Sequence, residues 1–361
     1  MKTQIQFRLF IVLLFISTAV FANTPAKKKT EKSKTITKSF NVASNATLKV
    51  DNAYGNIDVA TWDKNKIDIE VKIKVTGNNA DKVAERLERI SVDFTSTNSL
   101  VTAKTIIDKN KKNWWSWNGN KKMSIEINYI IKMPMTNNVD FSNDYGSINI
   151  DKLEGKAKLS CDYGKITTKE LMADDNEISF DYSNNCYFEY IKSGRINADY
   201  SGFTVAKTKN LRLNADYTKS TIEVAENVDY NCDYGSVKIG KVNNIQGNGD
   251  YLTLRLGNVY KNVSIKADYG SVKIDEMAAN AGNVSIQSDY VGITIGYNPG
   301  YDFNFDLDLE YGGLSGASDF YFTTKSVDGS DKKYEGYKGD KGSGNLISVK
   351  SDYGSVTFKE K

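Results

Sequence analysis

The sequence predicts an all-β fold: a β-solenoid of about 18-residue coils, preceded by an N-terminal cap that contains one short helix. The first observation behind this is an Asp-Tyr pair that returns in register along most of the chain. The second is a composition of 27 glycines, 22 tyrosines and only 3 prolines, which favours repeated strands joined by tight turns. The third is a regular alternation of apolar and polar residues on both sides of each pair, which indicates strands with one buried face.

The composition also excludes several classes of function. The chain has 361 residues, and its net charge of +3 supplies no strong field for a polyanion, so nucleic acid is not expected as a partner. The sequence contains no histidine. Every mechanism or zinc site that depends on an imidazole is therefore excluded.

The N-terminus predicts export. Lys2 and Arg8 precede an apolar run over residues 9–16, and small residues follow as far as Ala22, which together match a secretory signal peptide over residues 1–22. The apolar run is shorter than the ~20 residues that span a bilayer, although a retained anchor is the alternative. No later stretch reaches that length. We therefore expect a periplasmic or cell-surface protein with no transmembrane segment in the mature chain.

The repeat predicts a solenoid over residues 141–361. Val263, Ile265 and Ala267 alternate before Asp268, and Val272 and Ile274 alternate after its glycine corner. A strand, a corner and a second strand consume about one coil, which buries its apolar face only when neighbouring coils stack on it. A meander of antiparallel hairpins is the alternative, but its loops would show variable register. The aspartates of the repeated pair are Asp144, Asp162, Asp181, Asp199, Asp216, Asp233, Asp250, Asp268, Asp289 and Asp352, with Glu310 as a variant.

The segment between the signal peptide and the repeats is expected to be different. Residues 53–59 carry the repeat pattern and predict a first coil near the mature N-terminus. Residues 81–89 predict a short amphipathic helix, and strands are expected over 90–94, 100–107 and 123–133. We interpret residues 39–140 as a cap that closes the end of the solenoid, and the Lys- and Thr-rich residues 23–38 as a flexible lead-in.

The three cysteines cannot all pair within one chain. Cys161 and Cys232 occupy the same position, before the aspartate, in repeats that are four steps apart. Stacking would separate them by roughly 19 Å. A disulfide between them is therefore not expected.

Three segments resemble a known family. They are VDNAYGNIDVATWD at residues 50–63, IEINYIIKMP at 125–134 and DKLEG at 151–155. With these motifs the chain, from roughly residue 40 to 358, resembles the bacterial DUF4097 "putative adhesin" family, which is related to the DUF2807 head-GIN domain proteins. The resemblance implies a right-handed, β-helix-like solenoid with no established activity and a role at the surface or envelope. The Asp-Tyr-Gly corner departs from the family's usual small residue and Asn-Gly, so no shared ligand is implied.

The repeated tyrosines are the first candidate binding surface. They would stack at one corner about 4.8 Å apart, either as an exposed aromatic stripe for sugar rings or another protein, or as half-buried rings with hydroxyls at the surface. Because they share parity with inward residues, packing is the expected role. The candidate residues are Tyr145, Tyr163, Tyr200, Tyr234, Tyr251, Tyr269 and Tyr290.

A second candidate surface is a basic, aromatic tip in the cap, with Trp114, Trp115 and Trp117 among lysines. It could contact a membrane interface or an anionic glycan, or fold back on the cap. The aspartates could in principle bind calcium, but one carboxylate per coil is too few, and each is expected to accept the backbone N–H two residues on. No cofactor and no metal site are predicted.

These observations predict an exported, non-catalytic structural or adhesive binding protein of the envelope or surface. Its partner would be an envelope glycan or another surface protein. A carbohydrate-active enzyme of the β-helix type, a lyase or a hydrolase, is the alternative. Such enzymes depend on a local cluster of carboxylates that breaks the repeat, whereas here the carboxylates are part of the repeat.

Overall fold

The protein is nearly all β. The computed structural model describes residues 29–108 and 123–361. These ranges contain one helix and 25 strands, and the 25 strands belong to one long open sheet. The elements before the repeats are β1 (Thr30–Asn41), β2 (Thr47–Ala53), β3 (Ile57–Trp62), β4 (Lys66–Gly77), α1 (Ala80–Glu88), β5 (Ile90–Ser96), β6 (Leu100–Ile107) and β7 (Ser124–Pro134).

The repeat region begins at β8 and runs to the C-terminus. Its strands are β8 (Asn138–Asp144), β9 (Ser147–Ile150), β10 (Ala157–Asp162), β11 (Lys165–Leu171), β12 (Asn176–Asp181), β13 (Cys186–Asp199), β14 (Gly202–Asp216), β15 (Lys219–Asn231), β16 (Ser236–Asp250), β17 (Thr253–Val259), β18 (Val263–Met277) and β19 (Val284–Tyr297). The last six are β20 (Phe303–Glu310), β21 (Leu314–Ser315), β22 (Tyr321–Asp328), β23 (Asp331–Lys338), β24 (Leu346–Asp352) and β25 (Val356–Glu360).

Successive repeat units pair in parallel and in register. Asp199 lies opposite Asp216, and Asp250 lies opposite Asp268. Parallel pairing between consecutive units needs a crossover, so the antiparallel meander is wrong for this region. The predicted strands of the cap are also confirmed, as is the helix, which runs from Ala80 to Glu88.

The core lies between the pre-corner and post-corner strands of each unit. Ile178, Ile196 and Leu213 continue one buried row from unit to unit, and Ile222, Ile239 and Leu256 continue another. Each row is apolar because its residues lie at alternate positions of the strands. A single unit would leave both rows exposed on its open sides, so its stability depends on its neighbours.

The N-terminal end is closed by strands that lie outside the first unit. Strand β2 pairs in parallel with β8 on one side and with β6 on the other. Strand β7 pairs antiparallel with β4, and β4 pairs antiparallel with β1. Helix α1 buries Val83 and is capped by Asn79, the residue before its first turn, whose side chain accepts the backbone N–H of Lys82 at 2.9 Å.

The expected flexible lead-in over residues 23–38 is wrong for residues 30–38. They belong to β1, which pairs with β4 from Thr30 to Asn41. Lysines such as Lys32 and Lys34 lie on this strand, and lysine on an outer strand opposes pairing with another chain. The lysine content therefore has a structural reason other than flexibility. Residues 23–28 and the predicted signal peptide over 1–22 lie outside the described residues.

At the C-terminal end, chain order and spatial order differ. Strand β24 lies between β19 and β20, so the chain first forms the outer strand β20 and then returns to fill the inner place. Between β20 and β24 the chain forms a hairpin of β22 and β23, and β23 pairs antiparallel with β20. The Gly-, Lys- and Asp-rich composition of residues 326–345 is typical of a loop, but the segment lies partly in this covering hairpin.

All three cysteines are buried and free. The pairing of β10 with β12, β12 with β13, β13 with β14 and β14 with β15 places Cys161 and Cys232 four strand steps apart. The prediction that they form no disulfide with each other is confirmed. Burial raises the pKa of the Cys161 and Cys232 thiols to about 12, so neither is a reactive thiolate.

Candidate functional site

Each repeat corner consists of two consecutive outward residues, of which the second is a tyrosine and the first is an aspartate, except for Ala53 and Glu310. The tyrosine has a positive φ, between 50° and 65° at every corner from Tyr54 to Tyr353. This left-handed conformation shifts the alternation by one position. At the corner of Tyr200, the residue before the aspartate (Ala198) and the residue after the tyrosine (Ser201) are therefore both buried.

The expected inward parity of the tyrosines is therefore wrong. In a regular strand, side chains alternate between the two faces, so the tyrosine would face inward like the buried residue two positions before it. The left-handed conformation of the tyrosine breaks this alternation. Glycines such as Gly146 and Gly164 follow the tyrosine, and they do not supply the positive φ. They are small because the neighbouring unit's backbone lies against them: a Cβ on Gly146 would lie 1.8 Å from the carbonyl oxygen of Gly55.

The corner tyrosines form one continuous stack, which we call the tyrosine ladder. Neighbouring ring centroids are 4.6–5.3 Å apart and the ring planes differ by 3–10°. Tyr234 and Tyr251 are 4.8 Å apart, so the predicted adjacency of consecutive corners is confirmed. In spatial order the twelve members are Tyr54, Tyr145, Tyr163, Tyr182, Tyr200, Tyr217, Tyr234, Tyr251, Tyr269, Tyr290, Tyr353 and Tyr311.

The ladder is half-exposed along its whole length. Its side chains are 44–57% exposed. Because the rings are nearly parallel and in contact, each inner ring has both faces covered by its neighbours. The edges and the hydroxyl groups form the open surface. Partial burial, together with the neighbouring Tyr217 and Tyr251 hydroxyls, raises the pKa of Tyr234.

The aspartates form a second row beside the ladder, which we call the aspartate row. The Asp199 carboxylate accepts the backbone N–H of Asp216 at 3.2 Å, and the Asp216 carboxylate accepts that of Asp233 at 3.0 Å. We expected each carboxylate to accept the backbone N–H of the residue two positions later in its own turn. That partner is wrong, because the carboxylate accepts the N–H of the equivalent aspartate in the next unit. Each bond ties one repeat to the next.

The aspartate row carries unneutralised charge. Within the described residues, no corner aspartate forms an ion pair and no group of three carboxylate or thiol ligands could hold a metal ion. Partial burial, followed by the charges of Asp233 and Asp268, raises the pKa of Asp250. The same causes raise the pKa of Asp289, between Asp268 and Asp352.

Replacing Asp250 by asparagine is expected to leave the protein at least as stable near pH ~7, because it removes one charge between two like charges. Because the pKa of Asp250 in the folded protein is raised above its ordinary value, the folded protein binds the proton more tightly than the unfolded chain does. The repulsion is thus fully present above the raised pKa and is lost as the pH falls. Thermal melts of both proteins should show a melting-temperature gap that closes with acidification, and also in about 1 M salt. A variant less stable than wild type at neutral pH would contradict this.

The basic, aromatic tip predicted at Trp114, Trp115 and Trp117 lies outside the described residues. The strands on either side of it are described. β6 pairs in parallel with β2, and β7 pairs in parallel with β3, so both flank the unit that carries Tyr54. The role of the tip remains a prediction.

No family model matches the sequence, and no curated protein matches it. Among solved structures, the chain is similar to a "putative adhesin" from Parabacteroides merdae, with 12% identity, a TM-score of 0.34, and coverage of 90% of this chain and 96% of that one. It is also similar to a "putative cell adhesion protein" from Clostridium sporogenes, with 14% identity, a TM-score of 0.18, and coverage of 91% and 100%. A "putative lipid binding protein" from Parabacteroides distasonis matches at 11% identity and a TM-score of 0.26, over 90% and 96%. TM-scores this low do not establish a shared function.

Proposed function

We propose that this chain is an exported, non-catalytic binding protein of the cell envelope or surface, and that its tyrosine ladder is the contact surface for another surface protein. We propose further that the repeats form a right-handed solenoid of about 18-residue coils. The single observation that carries the functional proposal is the unbroken stack of twelve half-exposed tyrosines at left-handed corners.

The energetics of these corners favour a role in contact over a role in stability. A non-glycine residue in the left-handed region costs about 1–3 kcal/mol. A stacked aromatic pair returns about 0.5–1.5 kcal/mol. Stacking therefore offsets the strain at best, and glycine or asparagine would meet the same corner at lower cost. The rings are better explained by what they contact.

The geometry of the ladder favours a protein over a sugar as its partner. Sugars stack on the faces of aromatic rings, but the inner rings of the ladder have both faces covered. Among the ladder rings, Tyr54 and Tyr311 alone have one face that no other ladder ring covers. The accessible ring edges and hydroxyls suit a flat protein surface, and the adjoining aspartate row suits one that carries lysine and arginine.

The distribution of carboxylates supports a non-catalytic role. Glycoside hydrolases separate the pKa values of two carboxyl groups at one place. The aspartates whose pKa is raised here, Asp144, Asp250 and Asp289, belong to the repeated row and owe part of the shift to their equivalents in neighbouring units. The proposed export is supported by the N-terminal pattern that ends at Ala22. Among the described residues, no helix has the length and hydrophobicity needed to cross a membrane.

The test is a ladder variant with Tyr217, Tyr234 and Tyr251 replaced by asparagine, which tolerates the left-handed region while removing the rings. The matched control replaces three exposed tyrosines outside the ladder, Tyr187, Tyr260 and Tyr321, by asparagine. Binding of each purified protein to isolated cell envelopes is measured before and after protease treatment of the envelopes.

We expect the ladder variant to lose binding by about tenfold or more, because buried tyrosines often dominate the energy of an interface. The control variant should bind like wild type. Protease treatment should abolish the ladder-dependent part, and this part should weaken with salt. Equal binding by the ladder variant and wild type, or binding that survives protease treatment, would overturn the proposal.

A further inference from the structure

A groove of about 900 Å³ runs along another part of the repeat region. It follows the beginning of the pre-corner strands and extends over successive units from Lys156 to Ser264. Its floor is made by the backbone and by buried residues such as Leu211, Val228 and Ile245. The side chains that border it are mostly amides, hydroxyls and charged groups, and apolar surface lies between them.

Asparagines from four consecutive units line one side of the groove. Asn227 donates from its side-chain amide to the Asn210 side-chain oxygen at 2.8 Å, and Asn244 donates to Asn227 at 2.8 Å. Asn262 continues the row by donating to Asn244 at 3.1 Å. Asn227, Asn244 and Asn262 each use one of two side-chain N–H groups in this row, which among the described residues leaves the other available to donate. The result is a fixed line of hydrogen-bonding groups with a repeat of about 4.8 Å.

Two arginines lie directly opposite each other within the groove. Arg195 and Arg212 are register partners on adjacent parallel strands, both are exposed, and neither forms an ion pair within the described residues. Like charges placed directly opposite on neighbouring strands are destabilising. On one side the nearest groove carboxylate, Glu177, is held by Lys156 at 2.8 Å. Glu177 faces Arg195 in register and Asp229 faces Arg212, so one carboxylate lies on each side of the pair. Because neither guanidinium forms an ion pair among the described residues, both can donate to a bound carboxylate.

The groups next to the arginine pair limit how much negative charge a ligand can carry. Asp229 is the register partner of Arg212 on the following strand. Beyond it the groove continues with neutral groups, Asn244, Gln246 and Asn262. A ligand that follows the groove thus meets a cationic pair, then a carboxylate, and then uncharged amides.

We infer that this groove binds a linear polysaccharide in which carboxylated sugars alternate with neutral ones, with one carboxylate on Arg195 and Arg212 and neutral sugars along the asparagine row. Guanidinium groups bind carboxylates with paired, charge-assisted hydrogen bonds. Amides that can both donate and accept match sugar hydroxyls. A fully charged polymer is disfavoured by Asp229. A nucleic acid is disfavoured by the small number of cations and by the absence of aromatic side chains among the groove residues.

The test uses three hexasaccharide probes in titration calorimetry with the wild-type protein. A hyaluronan hexasaccharide alternates carboxylated and neutral sugars, an oligogalacturonate is charged at every sugar, and chitohexaose is neutral. We expect the hyaluronan probe to bind most tightly, and its carboxyl methyl ester to bind about tenfold more weakly or not at all. Absence of hyaluronan binding, or tighter binding of either other probe, would overturn the inference.

Variants then locate the site. Replacing Arg195 and Arg212 by glutamine should weaken hyaluronan binding by about tenfold or more. Replacing Lys207 and Lys241 by glutamine removes the same charge outside the groove and should leave binding unchanged. The ladder variant should also bind the hexasaccharide normally, so failure of this inference is separable from failure of the proposed ladder contact. Equal loss in the lysine variant would show non-specific charge attraction and would refute the site.

Discussion

Replacing Gly146 by alanine is expected to lower the free energy of unfolding by more than about 3 kcal/mol. The added Cβ would lie 1.8 Å from the carbonyl oxygen of Gly55 and 3.0 Å from the Asn143 amide nitrogen. Both contacts involve groups held in place by the neighbouring unit. The buried Asn143 amide donates to that same Gly55 oxygen at 2.8 Å, so any shift that relieves the clash also breaks a buried hydrogen bond.

Gly292 provides the matched control for this prediction. It follows the corner of Tyr290, but a Cβ there meets no atom within 4 Å. Alanine at this position should be neutral, or stabilising by up to about 1 kcal/mol, because it restricts the unfolded chain. Urea unfolding of the two variants measures the difference. Equal stability of the Gly146→Ala and Gly292→Ala variants would contradict the close contact between the backbones at Gly146 and Gly55.

The repeat register could be predicted because it depends on a local pattern that recurs. Asp-Tyr pairs with alternating apolar neighbours specify which residues face inward, and parallel stacking then brings equivalent positions together. Tyr234 and Tyr251 are neighbours for this reason. The direction of the tyrosine side chain could not be predicted by counting alternation, because one left-handed residue per corner changes the parity.

The ends of the fold were harder to predict than the middle. A repeat indicates that β20 and β24 have equivalent positions but not which of them is outermost, and the chain places the earlier strand outside the later one. Strand β1 was missed because its lysines were interpreted as a sign of flexibility. The asparagine row did have a signal: Asn210, Asn227 and Asn244 occupy the same position before successive corner aspartates.

The two surfaces of the repeat region differ in chemistry, and this difference underlies the two proposals. The tyrosine ladder presents ring edges and hydroxyls beside a row of carboxylates, which suits a basic protein surface. The groove presents amides and two arginines, which suits a sparsely charged glycan. Both rows exist because parallel, in-register stacking repeats each outward position about every 4.8 Å.

A second large effect is expected at Gly247, where alanine should destabilise the protein by about 3 kcal/mol or more. Its Cβ would lie 2.3 Å from the Tyr230 carbonyl oxygen and 2.4 Å from a carbon of the Tyr230 ring. Tyr230 is almost fully buried, and its hydroxyl has no hydrogen-bond partner among the residues that the structure describes. Gly247 thus leaves room inside the core for the Tyr230 ring. On the two outer sides of this pair, the same register position is occupied by Leu213, opposite Tyr230, and by Ile265, opposite Gly247.

A double-mutant cycle separates the ring clash from the backbone clash. Tyr230→Leu alone should cost about 1–2 kcal/mol, because the lost ring contacts are offset in part by removing an unpaired buried hydroxyl. In that background Gly247→Ala should cost less than in wild type, with a coupling of about 1 kcal/mol or more, since only the contact with the Tyr230 carbonyl remains. Denaturant unfolding of the four proteins gives the coupling energy. Strict additivity would mean that the Tyr230 ring does not occupy the space above Gly247, which would contradict the stacking of these two units in the core.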